Sequence, residues 1–472
     1  MTVPLTHLAG QSIGVFGLAR SGLATVRAAI AGGASVVAWD ARQEGRQQAE
    51  AEGARVAEPD AWEWDKLSLL ALAPGVPFTH PRPHEIVETA KGAGVEIVCD
   101  AELLYRELAG KARFVAVTGT NGKSTTTALI GHILETAGLE PRVGGNIGRS
   151  ALDLEPPSAA ESVYVLELSS YQLDLCVKFR PNVALWLNLT PDHLDRHGDM
   201  AGYRRAKERV FQAMQADDLA ILGVDEPEMR EVFASLSARG GHPEIARVSV
   251  HGEEAEIAVD DSGLMSDRRD GEQLDLSMLP ALRGRHNWQN AASAYAAARV
   301  LGLSVEAIAA GMESFPGLQH RMQIVARRGK VLFVDDSKAT NAEAAAPALS
   351  TFSPVYWIAG GRPKAGGIEG LEGLFPRIAK AYLIGEGADV FSTTLAGRVA
   401  HVIAGELTRA VALAAEDAAL DPESEPVVLL SPAAASFDQF ADFEARGRAF
   451  VAAVADLDMR KAQEPELGEA LR

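Results

Sequence analysis

Short apolar runs, each followed by a stretch with helical spacing, recur along the whole chain. Chains punctuated in this way bury their strands in largely parallel sheets with helices on both faces. Ser12–Phe16, Ser35–Trp39 and Leu67–Leu72 read as buried strands, and a helix over 21–31 is stopped by Gly32-Gly33. A second unit begins near Lys111. It has a strand over 114–117, a glycine-containing loop, and a helix with Leu129, Ile130, Ile133 and Leu134 on one face, ended by Gly138. Strands over 163–168 and 183–188 follow, then a polar, turn-rich stretch over 248–279 suited to a few antiparallel strands, and an alanine-rich helix over 286–301. From Phe315 onward, strands over 331–334, 355–358, 381–384 and 427–430 alternate with helices and read as another parallel sheet. The tail after Asp456 reads as a fraying helix end. A chain of 472 residues exceeds what one hydrophobic core sustains. The expected fold is therefore α/β with three domains: Rossmann-like over 1–110, a central P-loop ATPase-type mononucleotide-binding domain over 111–314, and a Rossmann-like domain over 315–472.

Charge narrows the partners. Forty-five basic against 64 acidic residues leave −19, a balance that disfavours nucleic acid and anionic membrane surfaces. It does not disfavour small phosphorylated ligands, which backbone dipoles hold locally. No basic residue precedes Arg20 and no apolar run nears about 18 residues, so neither a signal peptide nor a membrane span is expected. Cys99 and Cys176 lie far apart in the chain, with no CxxC neighbour, and suggest neither a zinc site nor a disulfide framework. A reduced, cytoplasmic enzyme is the expectation.

The strongest chemical signal is Thr118-Gly119-Thr120-Asn121-Gly122-Lys123-Ser124-Thr125, between a strand and a helix. Glycines let peptide N–H groups turn toward phosphate oxygens, and the helix N-terminus adds positive dipole. Lys123 can reach the β- and γ-phosphates and the Ser124 hydroxyl can bind Mg²⁺. Only two residues separate Gly119 from Gly122, where the common P-loop has four. Glu167, at the end of a neighbouring strand, is placed to hold that Mg²⁺, although alone it would read as a strand-end ion pair. The loop from Asn188 to His197 is dense in ligand-type side chains. His286-Asn287-Trp288-Gln289-Asn290 opens a helix, where Asn287 alone would read as an N-cap. Gly17-Leu18-Ala19-Arg20-Ser21-Gly22 nearly matches GxGxxG, with Asp40 after the next strand. This pattern fits a dinucleotide, a non-redox nucleotide or mere close helix packing. Asp335 to Asn341, Gly360 to Lys364 and Ser431 to Asp438 are polar loops leaving strand ends, where α/β sheets bind ligands.

Together these residues resemble the Mur ligase family, ATP-dependent amide-forming enzymes of peptidoglycan synthesis. The Asp40-Ala41-Arg42 triplet, the run from Asp336 to Asn341, and SPAAASFDQF with Phe443 and Arg446-Gly447 resemble its D-glutamate-adding branch. The resemblance implies UDP-N-acetylmuramoyl-L-alanine, D-glutamate and ATP as substrates, two Mg²⁺ ions, and a monomer. It implies that Arg20, Ser21, Asp40, Ala41, Arg42 and the turn Ala73-Pro74-Gly75 meet the UDP. The branch usually carries hydroxyl residues at Ala41 and Ala73, so only backbone contacts would survive there. Asn146 and His193 would place the acceptor carboxylate. Gly119 through Thr125, with Asn287, Asn290, Arg321, Asp336 and Lys338, would meet ATP. Ser124 and Glu167 would hold one Mg²⁺, and His193 and a carbamylated Lys207 another. Thr340, Lys364, Ser436, Phe437 and Phe443 would bind glutamate. Three other readings stay open: a nicotinamide oxidoreductase built on the first domain, a P-loop switch with a protein partner, and another amino-acid ligase of the superfamily that includes folylpolyglutamate synthases.

Overall fold

The structure, a computed structural model, describes residues 2–158, 162–364, 366–423 and 425–463. The chain divides into two compact units, Met1–Ser277 with Asn287–Phe315, and Met278–His286 with Pro316–Arg472.

The first unit holds two sheets. The strands β1 (Ser12–Phe16), β2 (Ser35–Trp39), β3 (Arg55–Val56), β4 (Leu67–Leu72) and β5 (Glu96–Val98) form a parallel sheet in the order β3-β2-β1-β4-β5. The chain runs outward from β1 in one direction to β3, then returns past β1 to β4. The crevice at the carboxyl ends of β1 and β4 is thus the switch point where such sheets bind nucleotides. The second sheet contains β6 (Arg113–Thr118), β7 (Arg142–Gly145), β8 (Val163–Glu167), β9 (Val183–Trp186), β10 (Leu219–Gly223), β11 (Glu244–Ser249), β12 (Ile257–Val259), β13 (Leu264–Asp267) and β14 (Gln273–Asp275). Its order is β14-β13-β12-β11-β10-β9-β6-β8-β7, parallel from β7 to β12 and antiparallel beyond, in line with the turn-rich reading of 248–279. The helix after β6 spans Lys123–Thr136 with Leu129, Ile130, Ile133 and Leu134 all fully buried.

One apolar core runs through both sheets of this unit, from Val3 to Ala255. Polar contacts reinforce the junction. The fully buried Glu102 carboxylate accepts the peptide N–H groups of Val177, Lys178 and Phe179 at 2.9–3.0 Å and pairs with Arg106 at 2.7 Å. Arg27 pairs with Asp153 at 2.8 Å. Cys99 and Cys176, distant in the chain, meet here as buried free thiols with sulfurs 3.8 Å apart.

The second unit contains β15 (Gln323–Arg328), β16 (Val331–Asp335), β17 (Val355–Gly360), β18 (Ile378–Ile384), β19 (His401–Gly405) and β20 (Val427–Leu430), in the order β15-β16-β20-β17-β18-β19. The sheet is not wholly parallel: β15 pairs antiparallel with β16. Its residues are only half-buried and its sequence includes Arg327 and Arg328, so no continuous apolar run marks it. Helices cover both faces, giving two apolar layers around Trp357 and around Tyr382. Among the described residues no helix is long and apolar enough to cross a membrane.

Candidate active site

In the first sheet the loop after β1 and the turn after β4 touch. Gly17 sits at φ +89°, and a Cβ there would lie 2.6 Å from Cβ of Ala73. A Cβ on Gly22 would lie 1.9 Å from the Gly17 carbonyl oxygen, so the first turn of the helix Arg20–Ala31 closes directly onto the loop. The Asp40 carboxylate accepts the Leu18 N–H at 2.6 Å and the Arg42 N–H at 2.8 Å. Burial pushes the Asp40 carboxyl up, but those peptide donors and the Arg42 guanidinium outweigh it and hold the group below the usual range. Arg20, Ala41, Arg42 and Gly75 are exposed around this crevice, and Ser21, Ala73 and Pro74 are half-buried.

In the second sheet the loop after β6 carries Gly119 at φ +154° and Gly122 at φ +82°, the latter capping the helix Lys123–Thr136. Lys123 Nζ donates to the carbonyls of Gly119 at 2.9 Å and Thr120 at 2.7 Å, folding the side chain back over the loop. The Ser124 hydroxyl is buried in the first helical turn. At the end of β8, Glu167 is 2% exposed. Its Oε1 accepts Asn146 Nδ2 at 2.8 Å, while Oε2 is buried with no partner among the described residues. After β9, His193 sits at φ +53° with its ring 5.0 Å from that of Tyr171. Burial first, and the nearby Lys123 and Lys207 charges, hold the His193 imidazole below its ordinary range. Lys207 is 1% exposed and donates to the Gly119 carbonyl at 2.7 Å and Thr118 Oγ1 at 3.3 Å. Burial, reinforced by the Lys123 charge, drives its ammonium well below the usual lysine range. Asn287 and Asn290 are buried and bonded to each other at 3.1 Å, and Asn290 Oδ1 lies 2.2 Å from where a Cβ on Gly122 would be. The helix begins at Arg285, so Asn287 is inside it and not its N-cap.

In the second unit, Asp336 leaves the end of β16 fully desolvated, which pushes its carboxyl up to about 7 although Ser431 Oγ and the Met322 N–H bond it. Arg321 lies between His320 and Met322, both with positive φ. Lys338 Nζ lies 3.8 Å from the centre of the Phe443 ring. Arg446 is buried and binds Ser337 Oγ at 3.0 Å, the Ser337 carbonyl at 2.8 Å and the Ala434 carbonyl at 3.0 Å. It thereby ties the loop after β16 to the loop after β20. Thr340 is half-buried, Ser436 buried, and Lys364 and Phe437 exposed.

A family description, the Mur ligase middle domain, matches residues 117–298. The chain is 50% identical over 462 residues to the UDP-N-acetylmuramoylalanine–D-glutamate ligase of Rhizobium etli, covering 97% of each protein. It is 50% identical over 460 residues to the enzyme of the same name from Caulobacter vibrioides, covering 96% of this chain and 97% of that protein. The chain belongs to the Mur ligase family.

Solved Mur ligases share its fold at low identity. The UDP-N-acetylmuramate–alanine ligase of Thermotoga maritima aligns with TM-score 0.57 and 18% identity over 95% of this chain and 99% of its own. MurF of Acinetobacter baumannii aligns with TM-score 0.58 and 20% identity over 89% and 91%.

Several residues that shape the candidate site of this Mur ligase carry no individual signal in the sequence. Asn188 Oδ1 accepts the peptide N–H groups of Thr120 at 3.1 Å and Asn121 at 2.8 Å, so it shapes the loop after β6 directly. Thr120 Oγ1 accepts the Thr190 N–H at 3.0 Å and meets Tyr203 OH at 3.3 Å. Arg46 donates to the carbonyls of Asp40 at 2.7 Å and Ala41 at 2.8 Å. Asn188 and Tyr203 were within reach of sequence reasoning as polar groups just after a strand or on the Lys207 helix. Arg46 had no signal beyond its charge.

Mg²⁺ fits the residues around the loop. The buried Glu167 Oε2, without a partner among the described residues, and the Ser124 hydroxyl at the adjacent helix start are hard oxygen donors of the kind Mg²⁺ takes. Among the described residues there is no cluster of three or more His, Cys, Asp or Glu able to enclose a metal ion.

Proposed function

We propose that this chain joins the amino group of D-glutamate to the carboxyl group of UDP-N-acetylmuramoyl-L-alanine, using ATP, in the synthesis of cell-wall precursors in the cytoplasm. The observation that carries the reading is half identity, along nearly the full length of both chains, to enzymes named for that reaction. Three domains divide the work: 1–110 takes the UDP, 111–314 the ATP, and 315–472 the glutamate.

A carboxylate is a poor electrophile, so it must first receive the γ-phosphoryl group, and two anions must meet for that transfer. Lys123 and the peptide N–H groups of Gly119 through Thr125 offset the phosphate charge, as oriented donors that need no rearrangement at the moment of reaction. Ser124 and Glu167 would hold one Mg²⁺, and His193 with Lys207 another. Mg²⁺ supplies charge neutralisation on the phosphate oxygens. Lys207 would join this set as a carbamate: burial lowers the affinity of its amine for a proton, and an amine that adds CO₂ and releases a proton becomes an oxygen donor where an ammonium would repel the metal. Arg20 and Ser21 meet the UDP phosphates, and Asp40, Ala41, Arg42 and the Ala73-Pro74-Gly75 turn frame the uracil. Asn146 and His193 hold the acceptor carboxylate. Asn287 and Asn290, with Arg321, Asp336 and Lys338, contact ATP. Thr340, Lys364, Ser436, Phe437 and Phe443 bind glutamate, with the exposed Lys364 cation suited to its side-chain carboxylate. The glutamate amine attacks the acyl phosphate, and the tetrahedral adduct collapses to amide and phosphate. The enzyme acts as a monomer.

An amino-acid screen coupled to phosphate release tests the proposal. Release is expected only with both UDP-N-acetylmuramoyl-L-alanine and D-glutamate. Equal turnover with L-glutamate or L-alanine would overturn the substrate assignment.

A further inference from the structure

Arg196 is half-buried in the junction between the two sheets of the first unit, yet no step described above uses it. Its guanidinium donates to three successive carbonyls of the turn after β4. The distances are 3.4 Å to Pro74, 3.1 Å to Gly75 and 3.0 Å to Val76. Thr79 Oγ1 returns a bond to the Arg196 carbonyl at 3.3 Å. The guanidinium carbon lies 4.5 Å from the centre of the Tyr171 ring, and the same ring lies 5.0 Å from the His193 imidazole. A small cleft between them is lined by Arg196, Tyr171, Pro74 and Val76.

The chemistry of the contact is specific. A planar fork of fixed N–H donors can span consecutive carbonyls while stacking on an aromatic face, and a lysine ammonium cannot do both. The turn it grips lies at the carboxyl end of β4, against the Gly17 loop and at the switch point of the first sheet. Arg196 itself lies three residues after His193, in the one-turn helix Leu194–His197 that follows β9. One side chain thus ties the nucleotide crevice of one sheet to the His193 loop of the other.

We propose that Arg196 is a positioning residue that sets the separation between the two ends of the UDP-sugar substrate, the uracil at the Pro74-Gly75 turn and the carboxylate at His193. This rests on the ligase reading of the two sites. Releasing the turn frees the uracil end and lets the carboxylate drift from the phosphoryl donor, so binding and turnover of this one substrate suffer together. ATP, held by the loop after β6, does not sense the change.

The test compares R196M and R196K with the wild type in the full-length protein. Calorimetry reads UDP and Mg²⁺–ADP affinity, and steady-state kinetics reads each substrate. R196M is expected to weaken UDP about tenfold, to raise the KM for UDP-N-acetylmuramoyl-L-alanine about tenfold and to lower kcat about tenfold. Its Mg²⁺–ADP affinity and KM for ATP should stay within twofold. R196K, which keeps the cation over Tyr171 but loses the fork, should fall between, and it carries the test if R196M does not fold. UDP affinity and UDP-sugar KM within twofold of wild type in a folded variant would overturn the assignment. Equal weakening toward ATP would also overturn it, since that marks general disruption. Failure of the wild type itself to bind UDP would overturn the underlying ligase reading, a result separate from any behaviour of the variants.

Discussion

Replacing Asn188 by alanine tests how the phosphate loop gets its shape. The Asn188 amide makes four contacts from a position only 9% exposed: Oδ1 accepts from Thr120 N and Asn121 N, and Nδ2 donates to the Asn121 carbonyl at 3.2 Å and to Gln289 Oε1 at 3.4 Å. The two short bonds to loop N–H groups matter most. A net contribution of about 1 kcal/mol per neutral hydrogen bond gives about 2 kcal/mol holding the loop in its phosphate-ready form. The full penalty for buried unpaired donors does not apply, because Thr120 is half-buried and Asn121 exposed, so water can reach both amides. At about 1.4 kcal/mol per tenfold, N188A should weaken Mg²⁺–ATP-analogue binding roughly ten- to thirtyfold by calorimetry, with UDP affinity unchanged. N188D keeps an acceptor oxygen but sets a negative charge before the triphosphate, so its affinity should also drop, and less so as salt screens the repulsion. Analogue affinity within twofold of wild type in folded N188A would refute the idea that this side chain organises the loop.

Lys123→Ala should abolish ATP-dependent phosphate release yet leave UDP binding intact by calorimetry, since the sites proposed for the two nucleotides lie on different sheets of the first unit. Arg42→Ala should raise the KM for the UDP-sugar and barely alter kcat, because contacts remote from the reacting centre contribute equally in ground and transition states. Lys207→Ala should lose most activity without unfolding, as checked by circular dichroism. Lys207→Arg should do no better, since a guanidinium stays protonated and takes up no CO₂. Glu102→Ala should destabilise the protein by a few kcal/mol in denaturant titration, because it removes the acceptor of the peptide N–H groups of Val177, Lys178 and the buried Phe179 and one of the two carboxylates that pair with Arg106.

What could be read from the sequence alone was what is local. The strands Ser12–Phe16 and Leu67–Leu72 are apolar runs bounded by turns, and their limits follow from burial of consecutive side chains. The loop from Thr118 to Thr125 is one contiguous stretch whose glycines must take the dihedrals seen at Gly119 and Gly122, so its position between β6 and a helix was legible too. The antiparallel edge strand β15 escaped, because a half-covered strand with charged residues carries no continuous hydrophobic signal. The side chains around the loop could not be placed from the sequence. Lys207 reaches the Gly119 carbonyl across 88 residues, Asn188 the Asn121 amide across 67, and Arg196 the Val76 carbonyl across 120. Each such contact exists only once β4, β6 and β9 stand in their final order with one apolar core closed behind them. The same closure strips Lys207 of water and lowers the affinity of its amine for a proton, because desolvation is a property of the surroundings that packing creates and no residue type or spacing encodes.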